Sequence, residues 1–582
     1  MLNRLLEVSD GAAKPGFRTK AVRWLITCNE TGGYTGIIPA GVDQYGALMV
    51  CPDSGSQAQS STGAHFLCDK LEIVALFGKD GDNSGKHKKN QSFCDFIREA
   101  AVSIAYLKCA YDLLTDSEEL TKIREELKVL GAKNSDVASI RIGSKNPIDD
   151  SDVIDWWSNR RIVQIKTSEK MRCFATGGLV TPMEIHPKIG GLKKYGGRGQ
   201  DNLVSFYAPS FTSYGLKESS NACMAESTAT SYAETLNNLI KEQSVTLGGS
   251  LCTYWFSHSV QDEEDSFSFL QNPETPDPGV DSLPRKLLKS IQSGDRVDLA
   301  NNHYYALTLS GASGRVMVRG WLEGQFSELN ENIDQWFEQL SIVGYLSNQP
   351  SKLSGFDRVL TSVLPPRKPK QKYEDWIKPL GSLQTSLHQS AITDRKFPID
   401  FVPKILLLLR TFWVDLDNSI KEKDQSMGAN LALAYRRLGL LKAYQIRNKG
   451  DEQMGTHLNP DHPEAAYQCG RLLAILARLQ RSALGDVGAG VVQRYYSAAS
   501  QTPALTIGRL MSNAKNHLSK LDGGLQHWYE NQIADVMACI DSSIPKTLDL
   551  EKQSLFALGY YQQIAKLNAG KDKTSDDQGD ES

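Results

Sequence analysis

Leu364-Pro365-Pro366-Arg367-Lys368-Pro369-Lys370-Gln371-Lys372 divides this sequence into two parts of different character. Its three prolines remove backbone donors and push the residues before them out of the helical region, and its four cations keep it in water. It reads as a Pro-rich basic linker, running with its entry segment over 364–402. C-terminal to it, apolar residues recur at helical spacing over 403–424, 428–447, 463–484, 487–498, 503–521, 523–541 and 549–567. N-terminal to it, helical stretches alternate with strand-like runs. The expected fold class is α+β: a mixed α/β N-terminal body over 1–363, the linker, and a C-terminal all-helical bundle over 403–568. The polar, acidic residues 569–582 read as a disordered tail.

Within the body, Trp24-Leu25-Ile26-Thr27 and Ala47-Leu48-Met49-Val50 read as strands between Gly-rich turns. Lys79 to Gln91 is polar and basic and predicts an exposed loop that carries Lys88 and Lys89. Phe93–Leu114 and Ser117–Leu130 predict helices, the second capped by Ser117 or Asp116. Ile162-Val163-Gln164-Ile165, Val204-Ser205-Phe206-Tyr207 and Leu251-Cys252-Thr253-Tyr254-Trp255-Phe256 predict strands, with a helix over Thr228–Glu242. Asp262–Pro278 predicts a loop, 304–309 and 315–321 a hairpin around Ser310–Gly314, and Glu328–Ser341 a helix.

A chain of 582 residues exceeds one core, and 40% hydrophobic with 23% charged residues suits a soluble globular protein. A net charge of -3 excludes a polycation, so any nucleic-acid contact must come from local patches. The first residues, Met1-Leu2-Asn3-Arg4-Leu5-Leu6-Glu7, do not read as a secretory signal, and the longest apolar run, Leu472–Ala477, is far short of a membrane span. The expected location is cytoplasmic. The ten cysteines are scattered without metal or redox spacing and read as reduced, mostly core thiols. His457 and His462 are closest among the histidines; with Asp461 as cap and Pro463 in a first turn, they mark a helix start rather than a metal site. No metal and no cofactor is expected.

The most informative stretch for function is His186-Pro187-Lys188-Ile189-Gly190-Gly191-Leu192-Lys193-Lys194-Tyr195-Gly196-Gly197-Arg198-Gly199-Gln200-Asp201-Asn202. Glycines let a backbone approach a partner closely and adopt positive φ. Lys and Arg neutralise phosphates, while Gln and Asn can read base edges. Lys193, Lys194, Arg198, Gln200 and Asn202 are therefore the candidate DNA-binding residues. Trp156-Trp157-Ser158-Asn159-Arg160-Arg161, followed by Lys166, Lys170 and Arg172, sets aromatics beside cations, a combination suited to phosphates and stacked bases, with at least one tryptophan expected in the core. On the 463–484 helix, Cys469, Leu472, Leu473, Leu476 and Leu479 form the core stripe. Arg471, Arg478 and Arg481 lie opposite, a candidate track for a displaced single strand.

No phosphate-cradling loop, HExxH or GxSxG motif is present. The one catalytic alternative is a Mg²⁺-dependent nuclease. Asp149, Asp152 or Asp155 followed by a strand with Gln164-Ile165-Lys166 loosely resembles a restriction-type pattern, but Gln164 stands where a second carboxylate would hold the metal. The same segment reads better as a binding surface than as a catalytic site. A second alternative is a plain nucleic-acid-binding scaffold.

Several blocks together resemble the large subunit of the type I-C (Dvulg-subtype) CRISPR surveillance complex, Cascade. They are Ser61-Thr62-Gly63-Ala64-His65-Phe66-Leu67-Cys68-Asp69, the lead from His186-Pro187-Lys188-Ile189 into Leu203-Val204-Ser205-Phe206, and Ser213-Tyr214-Gly215. Further blocks are Gly470-Arg471-Leu472-Leu473-Ala474, Arg494-Tyr495-Tyr496-Ser497-Ala498-Ala499-Ser500-Gln501-Thr502-Pro503-Ala504 and Phe556-Ala557-Leu558-Gly559-Tyr560-Tyr561. Lys70 departs from the asparagine expected after the aspartate. The resemblance implies a non-catalytic subunit that recognises the PAM in duplex DNA, aids strand opening, stabilises the R-loop and recruits the helicase-nuclease. The implied partners are guide RNA with its crRNA 5′ handle, PAM-bearing double-stranded DNA, the Cascade backbone and handle-binding subunits, a small subunit and the helicase-nuclease, with no membrane. Under this reading Lys193, Lys194, Arg198, Gln200 and Asn202 meet the PAM-side duplex. Arg160, Arg161, Lys166, Lys88 and Lys89 meet DNA or guide-RNA backbone. The family also makes its small subunit from an internal start. Met454 is the candidate, giving a separate product over 454–582, with Met427 as the alternative.

Overall fold

Trp24–Cys28, whose five side chains are all buried, is the central strand of the N-terminal sheet. A strand buried on both faces must pair on both edges. It pairs antiparallel with Tyr34–Pro39 and parallel with Val137–Ile142, which in turn pairs antiparallel with Cys68–Lys70. These are features of a computed structural model that describes residues 1–9, 16–41, 46–55, 58, 60–78, 84–165, 170–183, 185–247, 249–277, 279–422, 425–485, 490–540 and 543–569. The tail expected to be disordered lies outside them from residue 570 onward.

The chain forms two compact units. The first comprises 1–193, 197–242 and 311–317; the second comprises 194–196, 243–310 and 318–582. Most of the first unit thus ends at residue 242, and 311–317 return to it. Within the expected linker, Tyr373–Ile377 and Leu383–Ile392 are helices, and Leu383, Leu387 and Ile392 are buried in the same core as the bundle. Local proline and charge marked an irregular segment correctly at 365–372, but the apolar residues beyond it join the core.

In the first unit, the helices Ser84–Ala101, Lys108–Thr115 and Ser117–Val129 supply Phe93, Ile97, Leu113, Ile123 and Leu127 to the sheet core. Asp116 caps the last of these, its Oδ1 accepting from the Glu118 and Glu119 amides at 2.8 and 3.2 Å. Three sequence expectations are corrected here. Residues from Ser84 are helical, so Lys88 and Lys89 lie on a helix and not in a loop. Residues 162–165 close the helix Ser151–Ile165 and form no strand. Residues 204–207 form no strand either.

Apart from 311–317, the second unit opens with a sheet in the order Ser244–Leu247, Ser250–Phe256, His303–Ala312 and Arg315–Gln325. Phe326–Leu340 follows as a helix with a capping box between Gln325 and Glu328. The segment expected as a loop over 262–278 holds a short helix, Ser266–Gln271, because Phe267 is drawn into the core. All seven expected bundle helices form: Phe401–Glu422, Met427–Lys449, Ala465–Leu484, Val491–Ala499, Pro503–Leu518, Gly523–Ala538 and Leu550–Ala569. Ala465–Leu484 starts with Glu464 as N-cap, leaving Asp461 and Pro463 outside. His462 is instead buried, stacked on Tyr467, with Nε2 3.1 Å from Asp451 Oδ2.

The tightest helix crossing explains two of the sequence blocks. A Cβ at Gly470 would lie 2.0 Å from the Phe556 carbonyl oxygen, and one at Gly559 would lie 2.1 Å from that of Tyr467. Each glycine lets the other helix's backbone in. All ten cysteines are free and eight are buried, consistent with core thiols. Among the described residues no helix is long and apolar enough to cross a membrane.

Candidate nucleic-acid interface

In the first unit, the two ends of the glycine-rich stretch pair as a short hairpin. Gln200 pairs with Gly190 and Asp201 with Ile189. The helix Glu226–Glu242 supports it from behind: Asn237 Oδ1 accepts from the Gly190 amide at 2.8 Å, and its Nδ2 donates to the Lys188 carbonyl at 3.3 Å. Gly191 has φ +82°, and a Cβ there would come within 2.6 Å of Ile240 Cγ2. His186, at the root of the hairpin, is buried with Nδ1 2.9 Å from the Tyr232 hydroxyl. Burial pushes its pKa down to about 4, so the imidazole is neutral.

The loop's own organiser is Asp201, fully buried. Its carboxylate accepts from the Arg198 amide at 2.9 Å and the Gly199 amide at 3.2 Å. The Gly197 amide donates to the Leu192 carbonyl at 3.0 Å, and a Cβ at Gly197 would collide with Asp201 Oδ2 at 2.3 Å. The negative charge is thus met by backbone N–H groups, which leaves the loop's cationic side chains uncommitted. Lys193, Lys194, Arg198 and Gln200 are exposed, and the two lysines share a single 3₁₀ turn, Lys193–Tyr195. Among the described residues none of these three cations makes an ion pair.

Asn202 holds a second segment. Its amide donates to the Gly314 carbonyl at 3.0 Å, and its carbonyl accepts from the Val316 amide at 2.9 Å, a parallel bridge between Asn202 and Arg315. Arg315 is exposed, and the stem of Arg198 lies 3.5 Å from where a Gly314 side chain would begin. Sequence reasoning missed Arg315: it predicted the hairpin that carries it, but nothing in the sequence joins residue 315 to residue 202.

Other candidates are placed differently. Arg160 chelates Glu99, with Nε 3.1 Å from both carboxylate oxygens and an NH2 contact at 2.8 Å, and its guanidinium sits 4.9 Å over the Phe96 ring. It ties two helices together. Lys89 Nζ donates to the Ala58 carbonyl at 3.1 Å, while Lys88 is exposed on the same helix. Lys166 lies outside the described residues, as does the Arg161 side chain. Trp157 is core, its Nε1 donating to the Gly16 carbonyl at 2.6 Å; Trp156 is half-buried. The strand that the restriction-type pattern requires is the end of a helix, and Asp149, Asp152 and Asp155 are exposed. Among the described residues no cluster of three His, Cys, Asp or Glu side chains could hold a metal.

The arginine stripe of the bundle is corrected in part. Arg471 is buried, donating through Nε to Gln563 Oε1 at 3.0 Å and through NH1 to the Pro460 carbonyl and to Gln468 Oε1 at 2.7 Å. The loop before the helix and Leu550–Ala569 close over it, so it cannot serve as an exposed track. Arg478 is half-buried and donates to the Leu567 carbonyl and Asn568 Oδ1 at 2.9 and 2.8 Å. Arg481 is also half-buried.

A sequence model of the family described as CRISPR-associated protein (Cas_Csd1) matches residues 2–568. The match covers nearly the whole chain, and the chain belongs to this family of CRISPR-associated proteins. No curated protein matches it.

Proposed function

We propose that the chain is the non-catalytic large subunit of a type I-C RNA-guided DNA surveillance complex. In this role it recognises the PAM in duplex DNA, aids strand opening, stabilises the R-loop and recruits the helicase-nuclease. Family membership supports a place in a CRISPR effector complex. The observation that carries the finer reading is the loop itself. A buried carboxylate fixes its backbone, its cations are exposed and make no ion pair among the described residues, and Gln200 stands exposed among them. Rigid backbone with free cations is what phosphate positioning needs, and an exposed amide at the loop end is what a groove contact needs. Arg315 joins Lys193, Lys194 and Arg198 as a phosphate contact.

The partners in this reading are crRNA through its 5′ handle, the backbone and handle-binding subunits, a small subunit and the helicase-nuclease. Met454 as an internal start gives a product that keeps the Gly470–Gly559 crossing. Met427 is the first residue of Met427–Lys449 and would keep that helix too. Replacing Met454 by a non-start codon removes the short product if Met454 is used; an unchanged band assigns the start to another codon.

The test is a tagged pull-down from the native host with sequencing of the bound RNA. Short RNAs sharing a constant 5′ handle are expected. A random sample of transcripts, or no RNA, would refute the assignment.

A further inference from the structure

The helical bundle of the second unit contains a cavity of about 310 Å³. Its walls come from four helices: Phe401–Glu422, Ala465–Leu484, the start of Val491–Ala499 and the end of Leu550–Ala569. The volume falls within the range of small-molecule sites and is far too small for a folded partner.

The lining has three chemistries. Trp413 and Tyr560, both nearly fully buried with ring centroids 5.0 Å apart, give an aromatic wall, and Tyr345 adds a third ring. Arg478 and Arg481, neighbours one turn apart, bring two guanidinium groups to the same cavity. Asn418, Gln480, Gln493 and Asn568 also line it, the Asn568 amide being held by Arg478 and the Tyr345 carbonyl. No acidic side chain appears among the described lining residues, and among them Arg478 makes no ion pair. Its two bonds to the end of Leu550–Ala569 use one nitrogen and fix the guanidinium in place. Burial, with Arg481 nearby, makes its positive charge costly.

A half-buried arginine fixed by neutral acceptors favours an anion. Aromatic faces favour a planar ring, and amides favour a heteroatom-bearing ring edge. A lipid tail would meet two arginines, and an inorganic anion would leave the aromatic wall unused. We propose that this cavity binds one nucleoside phosphate, with the base against Trp413 and Tyr560 and the phosphate on Arg478. The nucleotide is either free or one unit turned out of a single strand. The site is built wholly from residues of the second unit, and its test uses no PAM-bearing duplex, so this assignment and that of the glycine-rich loop fail independently.

Equilibrium dialysis of the full chain against labelled dAMP and dTMP, and against the matching nucleosides, tests it directly. Saturable nucleotide binding is expected, with nucleosides held about tenfold or more weakly because the charge-assisted bonds are absent. Arg478→Gln should lower nucleotide affinity by about the same factor. Ala477→Phe, which fills the cavity without touching its charge, should abolish binding, both variants being checked for native circular dichroism. Equal affinity for nucleoside and nucleotide, no binding at millimolar nucleotide, or full affinity in either folded variant would overturn the assignment; the wild-type comparison decides even if a variant does not fold. A single-stranded oligonucleotide carrying one 2-aminopurine separates the sources. A fluorescence change that disappears in Ala477→Phe identifies a strand nucleotide, and mononucleotide binding without that change identifies a free one.

Discussion

Three cations of the loop at 188–202, Lys193, Lys194 and Arg198, and three of the helical bundle, Arg437, Lys442 and Arg471, end in opposite environments. In the bundle, Arg437 and Lys442 are 2% exposed. Arg437 donates to the carbonyls of Ser362 and Leu364 at 2.9 and 3.3 Å, and Lys442 to that of Glu338 at 3.2 Å. Burial pulls their pKa values down to about 10 and about 8. These cations satisfy backbone carbonyls where regular structure ends, Glu338 lying in the last turn of Phe326–Leu340. In the loop, glycines offer no apolar surface for a long stem to lie on, and the only buried charge, Asp201, is met by backbone amides. The same residue types are therefore structural braces in one region and free charges in the other. What separates them is whether the surrounding backbone already has its hydrogen bonds.

The sharpest way to break this contrast is with glycine. Gly559→Leu drives a side chain into the Tyr467 carbonyl at the closest helix crossing, and should cost about 3 kcal/mol or more, read as a large fall in thermal midpoint. Gly197→Ala meets an equally hard obstacle at Asp201 but lies in a surface loop. It should disorder the loop and weaken DNA binding with little loss of global stability. Next in size, Arg471→Met strands the side-chain carbonyls of Gln563 and Gln468. It should cost about 2 kcal/mol in chemical denaturation while leaving DNA affinity unchanged.

A third measurement is pH. His186 is neutral in the folded chain down to about pH 4, whereas the unfolded chain takes up the proton below its ordinary 6.5. The unfolded state therefore binds more protons in this window. The contribution is fully present above pH 6.5, falls with pH, and stops falling near pH 4. At pH 5 the loss is about 2 kcal/mol, and His186→Gln should flatten that part of the profile. His388, buried in the second unit with its pKa also pushed down to about 4, should behave in the same way.

Much of the bundle was legible because its apolar residues repeat at 3.6 positions over long stretches. The expected start at 503 and the observed Pro503 coincide, and the expected 403 and 428 become Phe401 and Met427. Shorter signals misled. The β-branched run at 162–165 has strand propensity but continues a helix begun at Ser151. The basic run near Lys88 and Lys89 has the polarity of a loop but belongs to the helix that Phe93 and Ile97 anchor. In the site, the cations and amides could be picked out by type. The role of Asp201 could not, since it depends on which amides the folded turn presents. Arg315 depends on a bridge to Asn202 that only tertiary structure makes.

The smallest expected change in stability is also the most direct test of the contrast. Lys193, Lys194 and Arg198 are exposed and make no ion pair among the described residues, so replacing all three by glutamine should change unfolding free energy by only about 0.5 kcal/mol. If they hold phosphates, duplex affinity should fall steeply at low salt. The slope of log affinity against log salt should also flatten by about 2 to 3, since each phosphate that the protein no longer neutralises removes about 0.9 from it. The matched triple in the bundle, Arg437, Lys442 and Arg471 to methionine, should do the reverse: it should unfold readily and, where still folded, keep the wild-type salt slope. A loop triple with an unchanged slope would mean that its exposed cations are merely solvated, and that the brace-versus-free-charge distinction, though real in the structure, has no bearing on DNA.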